Sequence, residues 1–139
     1  SDQTFDSIKE FASELGKTVI SVSEYPGYVT TRIIVPMLNE AMHVLMERIA
    51  SADDIDNAIK LGFGLNIGPL SLADQMGLDE VMSWMENLLK ELSDHKYNPC
   101  PLLRKMVRAG HLGVKTGQGF FKYNEDGNRI REDAGQSDL

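Results

Sequence analysis

Apolar residues recur along this chain at three-to-four spacing, and glycines close several of the runs. Phe5, Ile8, Ala12 and Leu15 share one helical face and Gly16 follows as a C-cap, so the pattern predicts a first helix over Thr4 to Leu15. Lys17 to Ser23 is rich in β-branched residues and leads to Pro26-Gly27; without a partner strand it reads as an extended connector. The longest predicted helix follows, about Tyr28 to Ala50. Its apolar residues, Val29, Ile33, Ile34, Met37, Leu38, Ala41, Val44, Leu45 and Ile49, cover most of its circumference. A helix apolar on so many sides is central to a core or buried in a partner. Pro36 removes one of its backbone hydrogen bonds, which predicts a kink or a split nearby.

Ser51-Ala52-Asp53-Asp54 resembles a capping box with Asp54 in place of the usual Glu. It opens a third helix, carried by Ile55, Ala58 and Ile59 and closed by Gly62. Pro69 suits the first turn of a short helix to Met76, where its missing N–H would be unpaired in any case. Val81, Met82, Met85, Leu88, Leu89 and Leu92 mark a helix over Asp79 to Leu92. Ser93 to Pro101 is a loop, and a last helix covers Leu102 to Ala109 before Gly110. Phe120 to Tyr123 reads as extended, Asn124 to Gly127 as a turn, and the polar tail to Leu139 as disordered. About six helices and almost no sheet make an all-α domain built by helix-on-helix packing.

The length of 139 residues fits one domain, and 42% hydrophobic residues supply one core. No apolar run reaches the roughly 18–20 residues of a membrane span, so no membrane partner is expected. Ser1-Asp2-Gln3-Thr4 does not read as a secretory leader. The single cysteine, Cys100, excludes an internal disulfide and fits a reducing compartment, so the expected location is cytoplasmic. A net charge of −7 argues against nucleic acid. The strongest basic cluster, Arg104, Lys105, Arg108 and Lys115, is either a solvated helix face or a site for one phosphorylated small molecule or an acidic partner.

Candidate chemistry is sparse. His43, His95 and His111 lie far apart and at no ligand spacing, so no metal site is expected. His43 beside Glu40 and Glu47 is an acid–base pair or a polar-face histidine. Cys100 has no activating base in the sequence around it, and a structural thiol is the better reading. Asp53, Asp54 and Asp56 crowd a helix start, where the helix dipole accounts for them. Gly110 to Thr116 is not a phosphate loop, because Val114 separates Gly113 from Lys115 and the strand–helix context is inverted. No Gly-x-Gly-x-x-Gly opens a βαβ unit, so no dinucleotide site is recognisable.

Several segments taken together do carry a resemblance. Pro26-Gly27-Tyr28-Val29-Thr30-Thr31-Arg32-Ile33, Asn39-Glu40-Ala41 and Ala52-Asp53-Asp54-Ile55-Asp56-Asn57-Ala58 come first. Gly68-Pro69-Leu70, Ala73-Asp74, Gly77-Leu78-Asp79 and Lys115-Thr116-Gly117-Gln118-Gly119-Phe120 follow in order. The set resembles the C-terminal domain of the 3-hydroxyacyl-CoA dehydrogenases, especially the short bacterial 3-hydroxybutyryl-CoA type, over nearly all of Asp2 to Tyr123. The implied fold is the helical dimerisation domain similar to the C-terminal domain of 6-phosphogluconate dehydrogenase. That second family is itself an alternative, which the Lys-Thr-Gly-x-Gly-Phe segment argues against. The implied organisation is 1–25 for the first helix and interdomain connector, 26–123 for the helical domain and 124–139 for the polar tail.

The resemblance implies NAD-dependent interconversion of a 3-hydroxyacyl-CoA and a 3-ketoacyl-CoA. In such enzymes an N-terminal Rossmann domain binds NAD and supplies a His–Glu pair, neither of which is recognisable here. The chain is therefore expected to be a fragment with no catalytic residue of its own, inactive alone. Its implied partners are its own Rossmann domain, an acyl-CoA substrate and a second copy met through the long helix from Tyr28. The implied substrate-binding residues are Thr31, Gly68, Pro69 and Leu70. The family pattern carries Asn before the Arg at the start of the long helix, whereas this chain carries Thr31 before Arg32. A hydroxyl is shorter than an amide and lacks its separate donor and acceptor. The alternative is therefore a non-catalytic helical oligomerisation or binding module that kept the fold and lost the chemistry.

Overall fold

A computed structural model of the chain describes residues 2–131. Six α-helices carry the fold, in the order α1 Asp2–Glu14, α2 Thr30–Met46, α3 Ala52–Phe63, α4 Pro69–Met76, α5 Leu78–Leu92 and α6 Pro101–Arg108. The only sheet among the described residues is the antiparallel pair β1 Lys122–Tyr123 and β2 Arg129–Ile130. The all-α reading therefore holds. The hairpin shows that part of the polar segment after Tyr123 is ordered by pairing back on the chain, whereas the disorder expected further along falls outside the described residues.

Helix α2 is shorter than its apolar pattern. Tyr28 takes a left-handed φ of +46° and Arg48 one of +59°, and both conformations break α-helical geometry at the two ends. Pro36 lies inside α2, which runs on to Met46 without a split. Helix α3 passes through Gly62 and ends one residue later. The left-handed cap is Gly64, at φ +65°. Its start is as expected: the Ser51 hydroxyl accepts from the Asp54 N–H at 3.1 Å and donates to the Asp54 carboxylate at 2.8 Å.

Val35, Leu38 and Met42 of α2 meet Leu70 and Ala73 of α4, Val81 and Met85 of α5 and Leu103 of α6 in one core. Tyr97, in a 3₁₀ turn within the predicted 93–101 loop, completes it. Asn39 of α2 is the polar tie to that loop. Its Oδ1 accepts from the Cys100 N–H at 2.8 Å and its Nδ2 donates to the Asn98 carbonyl at 3.2 Å. Both halves of the amide are satisfied, which makes its burial affordable. Helix α1 contrasts with the rest. It buries no residue: Phe5, Ile8 and Leu15 of its predicted apolar stripe lie exposed, Ala12 is half-buried, and Phe11 beside them is exposed as well.

Two buried carboxylates tie the small elements to the core. Asp56 of α3 caps α4: it accepts the Leu70 N–H at 2.7 Å, the Ser71 N–H at 2.9 Å and the Ser71 hydroxyl at 2.6 Å. Asp74 of α4 holds the C-terminal strap. It accepts the Phe120 N–H at 2.9 Å, the Phe121 N–H at 3.0 Å and the Tyr123 hydroxyl at 2.8 Å. A side chain at Gly113 or Gly119 would collide with Asp74 itself, which is why the strap needs glycine at both places.

Candidate functional site

The turn entering α2 shapes the candidate site. Gly27 is held at φ +77°, and a Cβ there would stand 2.8 Å from Leu88 Cδ2. Only glycine meets both demands, so Pro26-Gly27 brings the connector hard against α5. Between them lies a cavity of about 280 Å³, lined by Gly27, Tyr28 and Thr31 on one side and by Trp84, Asn87, Leu88 and Glu91 on the other. The four α5 residues follow i, i+3, i+4 and i+7 spacing and so share one face. Sequence reasoning took Leu88 as core and passed over Trp84, Asn87 and Glu91. Their common spacing was the available signal, hidden because α5 reads first as an apolar stripe.

Arg32, one residue on, turns away by about 100° of helix rotation and faces a second cavity. That cavity, of about 400 Å³, is lined by Tyr28, Val29, Arg32, Ile33, Pro36, Lys96 and Tyr97. The Arg32 Nε donates to the Tyr97 hydroxyl at 3.4 Å, and its guanidinium sits 4.8 Å from the Tyr25 ring centroid. The tyrosine hydroxyl is the main cause raising the Arg32 pKa above its ordinary value. Arg32 is thus a fixed cation between two aromatic rings at the joint of connector and helix.

The four expected substrate residues do not come together. Thr31 lines the α2–α5 cavity. Gly68, Pro69 and Leu70 are buried and line neither cavity at the α2 entry. The α4 start is not an open helix N-terminus, because the carboxylate of Asp56 already takes the Leu70 and Ser71 N–H groups. Gly68 is required for that cap, since a Cβ would overlap the Asp56 side chain. Asp56 thus acts on the N-terminus of α4 rather than through the dipole of its own helix.

The other sequence candidates resolve into structure. Arg104 pairs with Glu86 at 2.9 Å and Lys115 with Asp79 at 2.6 Å, so two of the four cations of the basic cluster are held in surface ion pairs. The Lys115 contact is the main cause holding the Asp79 carboxyl below its ordinary pKa. Cys100 is buried and burial pushes its thiol pKa up, the opposite of an activated nucleophile. Among the described residues no group of three or more His, Cys, Asp or Glu could hold a metal ion. Among the described residues the sheet is one antiparallel hairpin, which differs from the parallel βαβ unit with a glycine-rich turn of a Rossmann dinucleotide cradle. No helix among them is long and apolar enough to cross a membrane.

Residues 27–123 match the family model described as 3-hydroxyacyl-CoA dehydrogenase, C-terminal domain. The chain is 51% identical over 123 residues to a probable 3-hydroxybutyryl-CoA dehydrogenase of Deinococcus radiodurans, covering 88% of this chain and 44% of that protein. It is 46% identical to a probable 3-hydroxybutyryl-CoA dehydrogenase of Bacillus subtilis, with 90% and 44% covered. Among solved structures, the (S)-3-hydroxybutyryl-CoA dehydrogenase of Ralstonia eutropha superposes with a TM-score of 0.85 at 47% identity, over 90% of this chain and 44% of that one. The chain thus spans less than half the length of these relatives. With the five helices α2 to α6, Gly27 of the entry turn and the glycine strap all falling within the match, the chain belongs to the 3-hydroxyacyl-CoA dehydrogenase C-terminal domain family.

Proposed function

We propose that this chain is the dimerising and acyl-closing part of an NAD-dependent 3-hydroxyacyl-CoA dehydrogenase of the 3-hydroxybutyryl-CoA type, working in the cytoplasm. The observation that carries this is the position of Thr31. It stands at the family-matched entry to α2 and lines a cavity walled by Trp84 and Leu88. In this reading the Thr31 hydroxyl offers one hydrogen bond to the acyl end of the substrate while Trp84 and Leu88 keep water away. Gly68, Pro69 and Leu70 shape the pocket from behind, through the fixed start of α4, rather than by contact. NAD and the His–Glu pair belong to a Rossmann domain elsewhere in the parent protein. The bare apolar stripe of α1, together with exposed Ile20 and Val22, supports a domain packed against it.

The apolar surface of α2 supports self-association: Ile33 is 63% exposed, and Val29 is also open to solvent. Sedimentation over a range of concentrations is expected to show a dimer, and a strict monomer would overturn that part. For activity, the isolated chain is expected to give no NADH consumption with acetoacetyl-CoA; turnover well above background would overturn the assignment of the chemistry to another domain. The second reading, a module that kept the fold without the chemistry, rests on Thr31 standing where the family pattern has Asn. Thr31→Asn in the full-length parent decides between a tuned and an idle pocket. A changed kcat/KM is expected, and an unchanged value removes Thr31 from the site.

A further inference from the structure

A third cavity, of about 620 Å³, opens between α3, the first turn of α4 and the C-terminal hairpin. Its size lies within the roughly 300–1,000 Å³ common to small-molecule sites. The family match stops at Tyr123, so the hairpin residues Arg129 and Arg131 that wall it lie outside the shared domain. Four cations, Lys60, Lys122, Arg129 and Arg131, face two carboxylates, Asp53 and Asp56.

Both carboxylates are already engaged. Asp56 is filled by the start of α4, and Asp53 accepts from the Arg129 guanidinium at 2.6 Å. Arg129 is further fixed by the Phe121 ring, whose centroid lies 3.6 Å from its Cζ. Lys60 and Arg131 pair with no acid among the described residues. A cationic hollow on a chain of net charge −7 concentrates anions locally. A guanidinium held in place, with two further cations in the same wall, suits the several oxygens of a phosphate group better than one carboxylate. The room left by about 620 Å³ admits more than a single phosphate. We propose that the hairpin cavity is an anion site for a diphosphate-bearing small molecule, held by Lys60, Arg129 and Arg131.

Pyrophosphate titrated into the 139-residue chain by calorimetry at fixed ionic strength tests this. Saturable binding is expected, weakened roughly tenfold or more in the Lys60→Glu, Arg131→Glu double variant, with the thermal unfolding profile unchanged. ADP in a parallel titration separates the two sources of the group. Affinity equal to that of pyrophosphate makes the diphosphate sufficient, and tighter binding assigns a nucleotide. Failure to saturate with either probe, or equal binding by wild type and double variant, overturns the proposal. The result is independent of the dehydrogenase reading, because neither varied residue lines the Thr31 cavity.

Discussion

Asp74→Ala is the sharpest test of how this domain is held together. The substitution strips three donors of their acceptor: the Phe120 N–H, the Phe121 N–H and the Tyr123 hydroxyl. The bonds from Phe121 and Tyr123 are buried, whereas that from Phe120 is only partly so and water can replace its acceptor. Two buried orphans at about 1–3 kcal/mol each would cost about 2–6 kcal/mol. Against this stands the relief of an ionised carboxylate held away from water. That desolvation is the largest influence on Asp74, because its pKa is raised even though three donors favour the charged form. The offset leaves a net loss of about 2–4 kcal/mol, a large fraction of the stability of a domain this size. Urea unfolding followed by circular dichroism measures it, and hydrogen exchange should show loss of protection at Phe120 and Phe121 before the helices. A loss below about 1 kcal/mol would refute the idea that Asp74 anchors the strap.

The same group fixes a pH signature. With its folded-state pKa raised above the ordinary 3.8, the stabilisation linked to its protonation is complete below pH 3.8 and is lost as pH rises through the folded value. Asp74→Asn cannot titrate, so the stability gap between wild type and Asp74→Asn is expected to narrow from pH 4 to neutrality. A gap that widens over that range would reverse the sign of the argument.

Other expectations follow from single contacts. Gly27→Ala forces a Cβ to within 2.8 Å of Leu88 at φ +77°, and should cost about 1–2 kcal/mol from backbone strain alone, read by thermal unfolding. Asp56→Ala removes the α4 cap and should cost about 1–3 kcal/mol, with faster exchange of the Leu70 and Ser71 amides. Cys100 should resist a thiol reagent in native protein and react once urea unfolds it, because it is buried with its pKa pushed up. Equal rates in the two states would show that the site opens freely.

Much of the fold was legible along the chain because helices are local. Apolar spacing placed the longer helices and Pro69 the short α4, and the signals at Ser51, Pro69 and Gly110 act within one turn of the residues they start or end. The ends of α2 were not legible. Its apolar pattern runs past both breaks, and the left-handed conformations of Tyr28 and Arg48 belong to residue types that give no glycine-like signal. Of the residues lining the α2–α5 cavity, the sequence by itself singles out only Thr31 as a site candidate. Trp84, Asn87 and Glu91 become lining residues only because Gly27 lets the connector approach Leu88 across more than fifty residues of sequence.

The buried carboxylates mark the same division more strongly. Asp56 of α3 is 14 residues from Leu70 at the start of α4, and Asp74 is 46 from Phe120. Arg129 reaches back 76 residues to Asp53. Nothing in local spacing tells a carboxylate that caps its own helix from one that caps another. By itself the sequence determined which stretches are helical, because i to i+4 bonding and apolar periodicity are properties of a single segment. The tertiary structure alone decided which polar groups are buried, and so which residues wall the cavities. The cost of burying a charge is met only by donors that the fold brings from elsewhere in the chain.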